Sequence, residues 1–243
     1  MVKTAVILAA GLGSRLKGRT IGMPKGFITV GGKSLIEQSV AKLLNSGVEQ
    51  ILIGTGHAAE YYEKFADKYS GAVNCIRNDQ YTATGSMFTL YNLKDSIGVD
   101  FLLLESDLLY DQSGLNVLLE TAHPDVVLAS GRTHSNDEVF IETTPEGNLL
   151  KMSKNSAELN SIYGELVGIT KISAPTFQKM CRFAEQKFSD NPKLDYEYAL
   201  VGVTGETDIL VKKIEDFIWC EIDDEAHLRR AESDIFPKLK ERS

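Results

Sequence analysis

The chain predicts an α/β protein built on a doubly wound, mostly parallel mixed sheet. Three observations point there. Apolar runs of strand length alternate with amphipathic stretches of helical period through the first half. Each run gives way to a loop of small, polar or acidic residues. Near residue 130 the alternation breaks, and a hairpin pattern with a Pro/Gly turn takes over. Together these describe a Rossmann-like sheet with a small β insertion, expected as a single domain over 1–243. Its nucleotide-binding part would be 1–129, and the insertion and C-terminal part 130–243.

Ala5-Val6-Ile7-Leu8 is the first strand, and Ala9-Ala10-Gly11-Leu12-Gly13-Ser14-Arg15 is the loop after it. Two glycines and small side chains let this backbone approach a ligand, and exposed N–H groups there form an anion nest. Arg15 adds a planar fork of donors suited to phosphate, and Pro24-Lys25 brings a second cation on a stiffened turn. Two familiar motifs fail on these residues. A P-loop ending in Gly32-Lys33-Ser34 would need glycine where Phe27 stands, and a dinucleotide fingerprint would need glycine where Leu16 stands.

Further on, Ser34 and Glu37 make an S-x-x-E capping box ahead of Leu35, Ile36, Val40, Leu43 and Leu44, and Gly47 closes that helix. Ile51-Leu52-Ile53 is the second strand, 58–69 a helix, and Ala72 to Ile76 the third strand. Such β-α-β-α-β order implies right-handed crossovers and a ligand edge beyond the carboxyl ends of the strands, shared by the loops at Ala10, Gly54 and Asn78. A polar loop, 77–86, precedes a helix from about Ser86 to Leu93, for which Ser86 is a candidate N-cap. Phe101-Leu102-Leu103-Leu104 is an apolar strand running into Glu105 and Asp107. A helix at about 113–121 and a strand at 126–129 follow. Residues 139–142 and 149–152 form the hairpin, and 164–169 returns to the sheet. A helix covers about 175–188, and 217–222 is an apolar strand ending in Asp223 and Asp224. The C-terminal helix is amphipathic through Leu228, Ala231 and Ile235.

Leu8-Ala9-Ala10-Gly11-x-Gly13-x-Arg15 followed by Pro24-Lys25 resembles the signature of the nucleotidyltransferases that make NDP-sugars, CDP-choline and related activated alcohols. The resemblance implies that Leu8, Ala9, Ala10, Gly11, Gly13 and Ser14 cradle a nucleoside triphosphate. Arg15 would then hold its outer phosphates and Lys25 its α-phosphate. It places the base and ribose near Asn78, Ala83, Gly85 and Ser86, because Gly85-Ser86 matches the small-residue pair of that loop. It makes Asp107 a catalytic Mg²⁺ ligand. Glu221-Ile222-Asp223 matches the late metal position of the phosphocholine cytidylyltransferase type, so Asp223 is the second ligand. Within that type the whole chain is most similar to members acting on 2-aminoethylphosphonate, with CTP as donor. The alternatives are phosphocholine, a sugar 1-phosphate, or a nucleotide-binding regulatory protein without turnover. The resemblance leaves a homodimer open.

The acceptor's cation separates the first two. A trimethylammonium wants an aromatic cage, and a primary ammonium wants carboxylates. Residues 130–170 carry Phe140 and Tyr163 but also Asp137, Glu138, Glu142, Glu158 and Glu165. Tyr196 and Glu197 add to that set, and the single Trp219 sits in a strand that reads as core. Asp137, Glu165, Tyr196 and Glu197 are therefore expected around a primary amine, with Lys154 and Arg132 toward a phosphonate. His57, His123, His134 and His227 are scattered and read as structural or exposed. An acceptor that is already a phosphate or phosphonate needs no general base.

Composition sets the outer limits. Lys and Arg total 26 against 34 Asp and Glu, a net charge of −8, which argues against a nucleic-acid-coating protein. Cys75, Cys181 and Cys220 lie far apart without a CxxC, as thiols of a reducing compartment do. No apolar run reaches membrane-spanning length and the start lacks a signal-peptide pattern, so the expectation is a cytoplasmic enzyme with no membrane partner.

Overall fold

The computed structural model describes residues 2–13 and 22–242. Ser14 and Arg15, expected at the phosphates, lie outside the described residues. The first strand, β1 (Thr4–Ala9), is buried throughout and is central to a nine-stranded sheet. Then come α1 (Leu35–Asn45), β2 (Gln50–Thr55), α2 (Ala59–Ala66), β3 (Val73–Arg77), α3 (Ser86–Tyr91) and β4 (Phe101–Glu105). β3, β2, β1 and β4 are neighbours in that order and all parallel, with Val6 opposite Leu52 on one side and Leu103 on the other. The order reverses at β1, so the crevice at its carboxyl end is the switch point where such sheets bind ligands.

Strand alternation builds two cores from one strand. Ala5, Ile7 and Ala9 face α1, α2 and the later α4 (Ser113–Glu120), meeting Ile36, Val40, Tyr62, Phe65 and Leu115. Val6 and Leu8 face the opposite layer, with Met87 and Leu90 of α3. The same layer holds Phe177 and Met180 of α5 (Ala174–Lys187), and Ala199 and Leu200 of α6 (Tyr196–Val201). Each fully buried aliphatic or aromatic side chain here contributes roughly 1.5–3 kcal/mol of burial, enough to fix the register of β1. α1 starts at the expected box: Ser34 accepts from the Glu37 amide, and Glu37 accepts from the Ser34 amide.

Beyond β4 the sheet turns antiparallel. β5 (Leu108–Tyr110) leaves it, and β6 (Val126–Ser130), β7 (Phe140–Thr143), β8 (Leu149–Ser153) and β9 (Gly164–Ile172) complete it with β10 (Leu210–Ile214). β9 runs against β4, β6 and β7 in turn, so the expected hairpin β7–β8 extends the central sheet through β9. β10, parallel to β6, has no counterpart in the sequence reading. Its Leu210-Val211-Lys212-Lys213-Ile214 breaks an apolar run with two lysines, which suits a sheet edge.

The expected strand at 217–222 is shorter than its apolar run. Only β11 (Trp219–Glu221) is extended, and it pairs with β5 alone, outside the central sheet. α7 (Glu225–Arg230), a π-helical turn at Ala231–Ile235 and α8 (Phe236–Arg242) end the chain. Leu228, Ala231 and Ile235 are buried together with Ile28, Val30, Leu109 and Ile222. Among the described residues no helix is long and apolar enough to cross a membrane.

Candidate active site

A cavity of about 440 Å³ opens at the carboxyl end of β1 and β4. Leu8, Ala9, Ala10, Gly11 and Gly13 line one wall. Gly13 takes φ +62°, and a Cβ there would come within 3.0 Å of the Lys25 stem. Glycine therefore supplies both the left-handed turn and the space beside Lys25. Lys25 opens a 3₁₀ turn after Pro24, and the neighbouring Phe27 packs edge-on against Tyr61, Tyr62 and Phe65.

The two acids that the sequence singled out meet at Lys25. Its Nζ lies 3.0 Å from Asp107 Oδ2 and forms a second, shorter ion pair with Asp223 Oδ1. The β5–β11 ladder explains the meeting. Leu108 pairs with Glu221, and the Ile222 amide donates to the Asp107 carbonyl at 3.0 Å, so residues on either side of the ladder face each other. Asp224 is the N-cap of α7, accepting from the amides of Ala226 and His227, while Asp223, buried and behind the cavity lining, turns to Lys25. Burial opposes charge on Lys25, but Asp107 and then Asp223 outweigh it and hold the ammonium above its ordinary pKa. Burial likewise works against ionised Asp223, and Lys25 overcomes it, holding that carboxyl below its ordinary value.

Around this triad stands a wall of further acids. Burial, then Asp107 and Glu197, push Glu105 up to about 8; its Oε1 accepts from the Tyr196 hydroxyl at 2.7 Å. Burial, then Asp107, Glu105 and Asp223, push Glu221 up to about 11. Burial and Asp195 raise Glu197 to about 7, and its Oε2 is buried without a hydrogen-bond partner. Two ammoniums, Lys25 and Lys154, do not compensate so many carboxylates. The cluster is short of positive charge, which a cationic ligand or a metal ion would supply. Carboxylate oxygens of Glu105, Asp107 and Glu221 lie within 4.8 Å of one another, as do those of Asp137, Glu221 and Asp223. An all-oxygen donor set of this kind fits a hard divalent cation.

Gly168 makes room for Glu105. It takes φ +81° inside β9, where the pairing with β6 shifts register, and a Cβ there would sit 3.0 Å from the Glu105 carboxylate. A bulge beside a site is a common device for re-aiming neighbouring groups.

The base loop divides. Gly85 and Ser86 line the cavity with Tyr81 and Thr84. A Cβ on Gly85 would meet the Leu194 carbonyl oxygen at 2.3 Å, so glycine is needed for this backbone approach. Ser86 is not the N-cap of α3, whose cap is Gly85. Its hydroxyl instead donates to Asp195 and accepts from the Tyr196 amide, tying α3 to α6. Asn78 is buried and does not line the cavity. Its amide donates to Thr84 and Thr89 and its oxygen accepts from the Gln80 amide, so it organises the loop. Ala83 also stands off the cavity, in a turn closed on the Gln80 carbonyl.

Asp137, Lys154, Glu165, Tyr196 and Glu197 all line the cavity, with Lys154 paired to Asp137 at 3.1 Å. Glu165 is already engaged, accepting from the Thr133 amide at 2.8 Å. Glu142 and Glu158 are turned to local partners, Asn160 and Ser153, and stay out of it. Arg132 borders a second cavity instead. Trp219 corrects the sequence reading: it is 8% exposed, yet it lines the site, because β11 sits at the ligand edge and not inside the sheet. His227, read as structural or exposed, also lines the site, with Nε2 3.1 Å from the Ser135 carbonyl. Glu105 and Glu221 went unassigned although each stands two residues before a singled-out aspartate. Each is the last residue of its strand, and the aspartate follows just past the strand end.

Residues 5–165 match the MobA-like NTP transferase domain. The chain belongs to that family. It is 25% identical over 231 residues to a choline-phosphate cytidylyltransferase of Streptococcus pneumoniae, covering 94% of this chain and 96% of the relative. It is 26% identical over 231 residues to a 2-aminoethylphosphonate cytidylyltransferase of Lancefieldella rimae, covering 92% and 89%. The solved CTP:phosphocholine cytidylyltransferase from Streptococcus pneumoniae superposes with a TM-score of 0.81 at 24% identity, over 95% of this chain and 98% of that one. The inositol-1-phosphate CTP transferase from T. maritima gives 0.83 at 19%, over 99% and 97%. These neighbours share the mixed α/β fold with its mostly parallel central sheet.

Proposed function

We propose that this NTP transferase domain moves CMP from CTP to the phosphonate oxygen of 2-aminoethylphosphonate and releases pyrophosphate. The observation that carries the transfer is Lys25 held between Asp107 and Asp223 beneath the glycine loop. The acceptor oxygen attacks the α-phosphorus, the bond from that phosphorus to the bridging β-oxygen breaks, and the electron pair leaves with pyrophosphate. Lys25, swinging from the carboxylates to the α-phosphate, neutralises charge that grows there. The amides of 10–13 and Arg15 hold the outer phosphates. Most of the barrier reduction is positioning and electrostatics, and no covalent enzyme intermediate is needed. Asp107 and Asp223 would hold Mg²⁺; each belongs to a separate carboxylate cluster, and Glu221 is common to both clusters. When bound, that ion supplies further neutralisation of the phosphate oxygens.

The acceptor reading rests on the uncompensated acids. A primary ammonium can donate to Glu197 Oε2, which has no hydrogen-bond partner, and to Glu105. A trimethylammonium can donate to neither. The Lancefieldella relative bears the name of this activity, and the Streptococcus pneumoniae relative that of the choline-phosphate activity, so the relatives do not choose between them. One observation favours phosphocholine: Trp219 and Tyr196 both border the site and could face a methylated cation. Pyrophosphate release from CTP with Mg²⁺, measured with each acceptor, decides. 2-Aminoethylphosphonate should lead by about a hundredfold in kcat/KM, the order that loss of built hydrogen bonds produces. Equal or better use of phosphocholine overturns the acceptor, and no pyrophosphate with either overturns the transfer.

A further inference from the structure

The active-site cavity has a neighbour of similar size, about 490 Å³, bordered by Phe217, Ile218 and Trp219. The two share a wall made of Thr133, Trp219 and Arg230. That wall differs in chemistry from the rest of the site. The Trp219 indole N–H is buried with no hydrogen-bond partner, and an indole can only donate. Arg230, half-buried at the end of α7, has neither a hydrogen-bond nor an ion-pair partner among the described residues. The Thr133 hydroxyl is likewise unengaged, its residue held only through the amide to Glu165. Three groups with donors to spare thus stand together at the edge of a cavity otherwise crowded with acceptors. The acids of the second cavity do not claim Arg230. Asp234 is held by Lys238 at 2.8 Å, and Glu215 by Lys213 at 2.8 Å.

An unpaired, partly desolvated guanidinium beside an unpaired indole N–H is a costly arrangement unless a ligand satisfies it, since buried donors without partners lose hydration for nothing. The matching group is an anion with planar geometry, because guanidinium binds carboxylate through two parallel hydrogen bonds. We infer that the acceptor site also reads a carboxylate, through Arg230 with Trp219 and Thr133, so that an acceptor bearing one beside its ammonium and phosphonate is used better than 2-aminoethylphosphonate itself. The acceptor class is then an amino-acid phosphonate or phosphate. The simplest member is 2-amino-3-phosphonopropionate, the 2-aminoethylphosphonate skeleton with a carboxylate on the amine-bearing carbon. This inference rests on the transfer proposed above and deepens its acceptor. The reacting oxygen, the bond broken and the leaving pyrophosphate are unchanged, and the carboxylate takes no part in the chemistry.

The test compares kcat/KM for 2-amino-3-phosphonopropionate, O-phosphoserine and 2-aminoethylphosphonate, with CTP and Mg²⁺, by pyrophosphate release. Wild-type protein should prefer at least one carboxylated acceptor over 2-aminoethylphosphonate by tenfold or more. Arg230→Gln should collapse that ratio toward one, and Arg230→Lys, which keeps the charge without the fork, should fall between. Turnover of 2-aminoethylphosphonate with no preference for either carboxylated acceptor overturns the inference and leaves the transfer standing. A preference that survives unchanged in both Arg230 variants overturns it too, as does a parallel loss on all acceptors in Arg230→Gln with the ratio intact. Absence of pyrophosphate with every acceptor overturns the transfer and the inference with it. The wild-type preference is readable even where a variant fails to fold.

Discussion

Replacing Lys25 by Met keeps the stem beside Gly13 and removes the ammonium, so it isolates the charge. In the wild type that ammonium lies between Asp107 and Asp223, whose side chains are 13% and 2% exposed. Without it, two poorly solvated carboxylates face each other. Removing one partner of such a pair typically costs about 3–5 kcal/mol. The cost has a ceiling, because one carboxyl can take a proton. Raising an ordinary Asp from 3.8 to ionise only near pH 7 costs about 4 kcal/mol at 1.36 kcal/mol per unit. The expectation at pH 7 without metal is therefore a loss of about 3–4 kcal/mol, or roughly 6–16 °C in Tm for a domain of this size. The pH dependence has a definite sign. In the variant the shared carboxyl has a folded pKa above its unfolded one, so stability returns as pH falls toward 5, where the ceiling is under about 2 kcal/mol. The wild type, with Asp223 depressed, loses its share only below the ordinary carboxyl range. Melts in EDTA at pH 7 and 5 give the first readout. Steady-state pyrophosphate release gives the second: kcat should fall about a hundredfold or more, with KM for CTP changing less. An unchanged Tm at pH 7 refutes the electrostatic account of the triad. A full kcat with only a raised KM shows that Lys25 merely holds the nucleotide.

Asp107→Asn and Asp223→Asn should each lower kcat about a hundredfold, near 3 kcal/mol of transition-state stabilisation, and raise the Mg²⁺ needed for half-maximal rate; near-normal turnover of both at low Mg²⁺ would remove them from the metal. Gly168→Ala should destabilise by roughly 1–3 kcal/mol, from a strained φ of +81° and a Cβ at 3.0 Å from the Glu105 carboxylate; urea unfolding measures it, and an unchanged midpoint counts against the bulge being required. Lys42, whose Nζ donates to the Tyr110 carbonyl at 2.6 Å, is held by burial at about 8, below its ordinary 10.5, with Asp111 opposing. Its unfolded form binds the proton more tightly, so wild-type stability should rise by about 2–3 kcal/mol from pH 8 to 10.5 through this group. Lys42→Met should lack that rise, and parallel pH profiles of the two proteins would contradict it.

Which parts of this molecule could be read from residues alone follows from how local their causes are. The strand β1, the Ser34–Glu37 capping box and the Gly47 stop at the end of α1 each depend on neighbours within a few positions, and they lie where the pattern put them. Asp107 and Asp223 were legible as strand-end acids, but what joins them is a two-stranded ladder of Leu108–Tyr110 with Trp219–Glu221. An apolar run at 217–222 looks the same whether it is buried in a central sheet or stapled across its ligand edge. That is why Trp219 read as core and turned out to border two cavities. The acids illustrate the same limit. The sequence reading placed Glu165, and not Glu142 or Glu158, at the amine; what separates them physically is the backbone and side-chain donors on adjoining segments, which turn two away and anchor the third at the wall. Glu105 and Glu221 carried a usable signal, their place as the last residues of the strands that run into Asp107 and Asp223. Its weight becomes plain only when burial brings those four carboxylates around one ammonium. A site's charge is a property of the assembled elements: the chain is acidic throughout, and only the fold shows which acids lack a counterion and which donors, the Trp219 indole among them, are buried without a partner.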